Sequence, residues 1–445
     1  MYRRARNLYT SSGRDGTLVR TVVGSAGLRV AGMGLGFLVG LQLARALGPA
    51  GYGIYGIAMS LVSIAMIPTE LGLSQLVTRE AAIAEASADR SSIRSLLDWT
   101  FRFVLANTAV IAVAALAALL LMGSGMAGAL RPALLWGMAL LPLVAIASIC
   151  SAALRGMHHV VEGQLFEMLL RPGLLSLGLF AIWISGDSHA LTPTLAMELN
   201  VLAAIIGAGF VVRWLVPLLR GVPTHPQSHA TRRRWLRSAI PLALGEGMRI
   251  VSGNLAILIL GLLAPPAEVG LYRVAFGVYT AATLPSALLN VACSPMLASL
   301  HAEGKKAAIQ RVNAWMALLL VLAAVATLVP FLVAGGTILS IAFGHDYAAS
   351  NTILVVLLAG ELATAFIGHP TVVLNMLHHE HAVTRFSLVA LLINAVGSVC
   401  LIPIYGGIGA ALGVAISQFM WRLLCSWHAR RYLGLESSML AWRKS

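Results

Sequence analysis

The sequence predicts an all-α integral membrane protein of about twelve transmembrane helices in two six-helix lobes related by a parallel internal repeat. Three observations lead there. Of 445 residues, 58% are hydrophobic and only 11% charged, whereas soluble domains carry about a quarter charged residues. Basic residues gather in alternate connections between apolar runs. A short phrase, PAGYGIY at Pro49–Tyr55, returns as PAEVGLY at Pro266–Tyr272.

Runs of about twenty mostly apolar residues match the length a helix needs to cross the hydrocarbon core. They fall at 21–46, 53–73, 100–122, 133–154, 164–184, 191–213, 238–262, 269–292, 313–334, 350–374, 384–402 and 406–427. The basic N-terminal stretch has no short apolar core followed by a small-residue cleavage site, so the first span is expected to act as an uncleaved insertion signal.

The connections carry the charge. Of 31 Lys and Arg, 23 lie in 1–20, 74–98, 155–163, 214–237, 299–312, 377–385 and 422–445, whereas the intervening connections hold Arg131 alone. By the positive-inside rule both termini and all the basic connections face the cytoplasm. The net charge of +14 therefore records topology. Its expected neighbours are anionic membrane lipids, and nucleic acid is not an expected partner.

The four cysteines, Cys150, Cys293, Cys400 and Cys425, show no paired spacing, and neither a disulfide nor a metal site is expected. The histidine groups His158/His159 and His378/His379/His381 look like metal ligands at first sight. Adjacent helical positions point about 100° apart, however, and no acidic or thiol cluster joins them, so contact with headgroups is the simpler reading.

The repeat sets the domain organisation. PAGYGIY opens span two and PAEVGLY span eight, and a second echo links LRGMHHVVEG, Leu154–Gly163, to LNMLHHEHAV, Leu374–Val383, at nearly the same offset. Internal duplication explains both. The expected division is an N-terminal lobe at 1–220, a cytoplasmic linker at 221–237 and a C-terminal lobe at 238–445. In the phrase itself, Pro and Gly make a tight turn and Tyr anchors at the interface. Pro68 and Pro285 each follow a phrase by thirteen residues. They are hinge candidates, with a static kink as the plain alternative.

The segment LARALGPAGYGIYGIAMSLVSIAMIPTELGLSQLVTREAA, Leu43–Ala82, resembles the first two helices of bacterial polysaccharide flippases, the O-antigen and exopolysaccharide transporters. ALRGMHHVVEGQLFEMLLRPGLL, Ala153–Leu175, is similar to the join of their fourth and fifth helices. Their superfamily also holds multidrug and toxin extrusion antiporters and lipid II flippases. The resemblance implies an inner-membrane transporter that moves an undecaprenyl-diphosphate-linked oligosaccharide to the outer leaflet by alternating access, through a cavity between lobes. It implies no catalytic residue and no cofactor. Polymerase and glycosyltransferases of the same pathway are candidate partners, and a monomer is expected.

Seven arginines lie within the spans. Arg45, Arg102, Arg171, Arg213 and Arg273 stand within about two turns of a span end, close enough to snorkel toward headgroups; Arg171 also has Glu167 four residues earlier. Arg29 and Arg249 lie about three turns deep, roughly 15 Å, in the first helix of each half. A charge at that depth needs a partner or water, and guanidinium binds phosphate bidentately. Both are therefore candidates for holding the diphosphate, the alternative for Arg249 being a local pair with Glu246.

Glu246, Glu361 and Glu198 are ion-coupling candidates, since a buried carboxylate can carry a proton or coordinate a cation; they can equally be partners for arginines. Glu70 ranks behind them, near the cytoplasmic end of span two. His369 could titrate or simply bond a neighbouring carbonyl. A drug or cation antiporter would want acidic residues without opposing arginines. A membrane polymerase or ligase would want a large external loop, and the longest expected here, 335–349, offers only His345 and Asp346.

Overall fold

Lipid offers the backbone no hydrogen-bond partner, so a chain crossing it must satisfy its peptide groups internally. Every regular element among the described residues is accordingly helical. The computed structural model describes residues 14–121, 128, 130–185, 191–224, 229–303, 305–377 and 379–434. The helices are α1 (Arg14–Glu70), α2 (Leu73–Ala86), α3 (Arg90–Leu121), α4 (Leu130–Gly156) and α5 (Val160–Leu165), which passes through a π-helical turn (Phe166–Leu170) into α6 (Arg171–Ile184). They continue with α7 (Pro193–Leu219), α8 (His229–Leu263), α9 (Pro266–Ala282), α10 (Leu284–Ala302) and α11 (Lys306–Phe343). A short 3-10 turn (His345–Tyr347) precedes α12 (Ser350–Ile367), α13 (Pro370–Met376) and α14 (Glu380–His428). Nine helices among the described residues are long and apolar enough to cross a membrane. The protein is a multi-pass integral membrane protein.

The three longest of these helices, at 44, 37 and 54 residues, are each broken inside. The breaks fall at Gly48 (φ 64, ψ 176), Ala334 (φ −136, ψ 19) and Gly406 (φ 54, ψ −131). At Gly406 the chain folds back on itself. A Cβ on Gly397 would stand 3.4 Å from the Cα of Gly413, a meeting that a straight helix at 1.5 Å rise per residue forbids.

Several expected boundaries move. The stretch 335–349 is not an open loop, because α11 continues to Phe343. The basic connection 74–98 is largely helical, as α2 and the start of α3. In place of kinks at the two prolines, the structure shows breaks beside them. Pro68 stands two residues before α1 ends, and Leu71 and Gly72 then take positive φ. Pro285 is the second residue of α10, just after the break at Thr283. A proline lacks the amide a helix interior uses but is accepted in a first turn.

By internal packing the described chain forms two compact units. One comprises residues up to Ala46 with Leu61–Gly247, the other Leu47–Ser60 with Met248–Ser445. Each is described in turn. In the first, α4 packs against α2, α3 and α7 through small buried residues such as Ala145, Ala152 and Ala153, which let helices approach closely in lipid. Leu73, Leu76, Ile93, Phe166 and Trp235 fill its core. In the second unit α12 is central, packing on α9, α11 and α14 with Leu354, Leu357 and Leu358 buried.

Candidate functional site

The membrane-embedded polar groups separate by unit. In the second, α12 buries Glu361 and α14 buries Arg422. Arg422 Nη2 donates to Glu361 Oε1 at 3.2 Å, and the Tyr279 hydroxyl, from α9, donates to Glu361 Oε2 at 3.1 Å. Arg422 therefore does not belong with the solvated cytoplasmic tail, where the charge pattern put it. Sequence reasoning could have found it, because the flanking Trp421, Leu423 and Leu424 continue an apolar helix. Nη1 of Arg422 and Nε2 of His369 are buried without a partner among the described residues, so His369 does not bond a carbonyl through that nitrogen.

In the first unit the corresponding group is Glu70, at the last residue of α1. Its Oε2 accepts from Ser74 Oγ at 2.7 Å and faces Ser148 Oγ at 3.5 Å, and the two serine hydroxyls are 2.9 Å apart. Arg155 and Glu167 form the charged surroundings. Arg155 Nη1 donates to the Gly163 carbonyl and stands 4.0 Å from Glu167 Oε2. Arg171 donates to Asn200 Oδ1 at 3.1 Å. Glu167 lies in the π-helical turn, an irregularity that recurs at functional sites.

Arg29 and Arg249 both have exposed side chains, Arg29 in the first unit and Arg249 in the second. Glu246 and Glu198 are half-buried. Glu246 and Arg249 each take part in further interactions. Arg45, Arg102 and Arg213 are exposed, as snorkelling requires. Arg273 is not: its guanidinium lies 4.6 Å from the ring centre of Tyr52 and 5.5 Å from that of Tyr55, a cation–π arrangement. Tyr55 and Tyr272, the last residues of the two phrases, are only 4% and 1% exposed, so they pack inward and are not interface anchors.

Among the histidines, His159 stands 3.8 Å from Glu162 and His379 Nδ1 meets His428 Nε2 at 3.2 Å. His378 lies outside the described residues. Among the described residues no group of three or more His, Cys, Asp or Glu side chains could hold a metal ion. Arg94 caps the C-terminal end of α7, donating to the carbonyls of Leu219 and Val222 at 3.1 and 2.7 Å, as cations do at helix C-termini.

Comparison with known proteins gives the family and the fold. The family profile described as polysaccharide biosynthesis protein matches residues 18–301. The capsular polysaccharide biosynthesis protein CapF of Staphylococcus aureus is 25% identical over 251 residues, 56% of this chain and 62% of the relative. The chain thus spans about three fifths of the length of the curated relative it matches. An inward-facing multidrug resistance transporter of the MATE family, in the MOP superfamily, superposes with a TM-score of 0.73 at 13% identity, over 90% of this chain and 94% of that one. The lipid II flippase MurJ in an inward closed conformation gives 0.71 at 12% identity, over 93% and 87%. These likenesses establish the fold as that shared by MATE transporters and MurJ.

Proposed function

The chain belongs to the polysaccharide biosynthesis protein family, and from that premise we propose that it is a flippase moving an undecaprenyl-diphosphate-linked oligosaccharide from the cytoplasmic to the outer leaflet of a bacterial inner membrane. The family match over residues 18–301 carries this reading. The fold alone is shared by a multidrug transporter and a lipid flippase, so it does not choose between a drug or cation antiporter and a carrier of lipid-linked glycan. The deep arginines favour the anionic cargo. Arg29 and Arg249 would hold the diphosphate, each by the planar fork that suits phosphate.

Twelve passes in two lobes related by duplication remain part of this proposal. Its support is the break at Gly48, the fold-back at Gly406 and the reciprocal packing of the two phrases, Gly53 on Pro266 and Gly270 on Pro49. Both termini and the 221–237 linker would face the cytoplasm. Deleting the gene in its host tests the function: lipid-linked oligosaccharide should accumulate on the cytoplasmic leaflet while surface polysaccharide disappears. Intact surface polysaccharide with impaired extrusion of cationic dyes would favour the antiporter instead.

A further inference from the structure

We propose that His379 and His428 form a binding site for a divalent transition-metal ion of the zinc, nickel or copper kind. Sequence spacing offers no such pair, because neighbouring helical positions point about 100° apart. The fold supplies one. His379 immediately precedes α14 and His428 ends it, and the reversal at Gly406 returns the end of that helix to its start. His379 Nδ1 and His428 Nε2 therefore face each other at 3.2 Å although 49 residues separate them in the chain.

Both rings are held by their own surroundings. The His379 amide donates to the Leu374 carbonyl at 2.9 Å, and the His379 carbonyl accepts from the amides of Ala382 and Val383 at 3.1 and 3.4 Å. The His428 ring meets Phe386 edge-on with centres 5.8 Å apart, and its centre lies 4.4 Å from that of Tyr432. Leu374, Cys425 and Ala429 are buried together at the same junction, with Val383, Phe386 and Leu433 packed on them. A ligand pair fixed by packing in this way loses little freedom on binding. Both imidazoles stay half-buried, so an ion can reach them.

The separation suits a shared metal. Zinc takes imidazole nitrogen at about 2.0–2.1 Å, which sets two ligands about 3.3–3.4 Å apart at the tetrahedral angle. A neutral imidazole nitrogen is also the ligand that zinc, nickel and copper accept readily. As a hydrogen bond, the contact keeps a proton on one of the two facing nitrogens. When a metal binds, that ring passes this proton through solvent to its other nitrogen, so both facing lone pairs become ligands and no net proton is released. Glu380, Arg385, Arg430 and Arg431 around the pair are exposed, where salt screens their charge. Two protein ligands leave the remaining positions to water, so the site is open and exchangeable, unlike a closed four-ligand structural site. Bound metal would tie the junction of α13 and α14 to the far end of α14, favouring the folded pair over the unfolded chain.

The test uses the tag-free full chain in lipid nanodiscs, with Cu²⁺ alone and Zn²⁺ alone as probes. One equivalent of Cu²⁺ should give an electron paramagnetic resonance spectrum split by two imidazole nitrogens. Zn²⁺ should shield His379 and His428, but not His158 or His159, from carbethoxylation by diethyl pyrocarbonate, read by peptide mass spectrometry. Both signals should be lost in His379→Gln and in His428→Gln, and kept in His159→Gln. The shielding is read on the parent protein, so it decides the question even where a variant fails to fold. Absence of bound Cu²⁺, a spectrum with a single coupled nitrogen, or Cu²⁺ binding that survives both substitutions overturns the site. Zn²⁺ that shields neither His379 nor His428 overturns it equally. None of these readouts needs cargo, so they stand or fall apart from the flippase reading.

Discussion

Gly53 and Gly270 occupy equivalent positions in the two phrases and make reciprocal contacts: a Cβ on Gly53 would collide with the Pro266 carbonyl, and a Cβ on Gly270 with the Pro49 carbonyl. Such mutual contact is the signature of a two-fold relation, in which residue i meets j while j meets i. The pattern continues one turn on. Gly56 and Arg273 share the same offset, and the arginine stem lies where a Gly56 side chain would be. Only glycine lets these backbones come so close.

Gly53→Ala and Gly270→Ala should each therefore destabilise the protein by about 1–3 kcal/mol, the usual cost of overpacking, and by similar amounts. Thermal unfolding of the detergent-solubilised variants checks this. Wild-type melting in either one would show that the packing has room the structure does not suggest.

Glu361 and Arg422 should behave as a unit. Glu361→Gln or Arg422→Met alone leaves a buried charge uncompensated and should cost about 3–5 kcal/mol. The double variant should recover much of that loss. Additive losses in the same unfolding measurement would mean that the two side chains act independently.

Asp89 offers a test at the connection between α2 and α3. It accepts from the hydroxyls of Ser91 and Ser92, both at 2.6 Å, and from the Ser92 amide at 3.2 Å, which caps α3. The hydrogen bond from Ser91 is the largest cause of a carboxyl pKa lowered to about 2. Because the folded value lies below the unfolded one of about 3.9, the cap's contribution is complete above the unfolded value and fades as pH falls through the folded one. Hydrogen exchange at the first amides of α3 should accelerate in Asp89→Ala near neutral pH, relative to the parent protein. Equal exchange in both would show that the cap contributes nothing to this end of α3.

Arg29→Ala and Arg249→Ala should each sharply reduce surface glycan while protein abundance stays near normal. Lys at either position should restore part of the activity, since charge returns without the bidentate fork. Should Arg249 serve Glu246 instead, Ala at 246 and 249 would each lower abundance and the double variant would recover it. Immunoblotting against surface glycan separates these outcomes.

Much of this protein was legible in its sequence because lipid leaves few choices. Apolar length and loop charge alone identified a helical membrane protein, and the repeated phrases marked the chain that packs reciprocally at Gly53 and Gly270. Hydropathy placed a span on each side of 403–406 but cannot see that one glycine, Gly406, makes the whole turn, nor that α11 runs past 334. The site was less legible. Arg422 counted as a loop charge because its apolar flanks were read as the end of a span, and its partner Glu361 lies 61 residues away. Glu70 ranked low because its distinguishing feature, two hydroxyls from α2 and α4, exists only after folding.

The central claim is the movement of lipid-linked glycan, and it is tested most directly with purified protein in liposomes loaded with fluorescently labelled undecaprenyl-diphosphate oligosaccharide. A membrane-impermeant quencher reports how much label reaches the outer leaflet. The account predicts that the parent protein moves label across the bilayer faster than empty liposomes do, and that Arg29→Ala combined with Arg249→Ala returns the rate to the empty-liposome level. Movement no faster than in empty liposomes for the folded parent protein, under an imposed proton gradient of either direction, would contradict it.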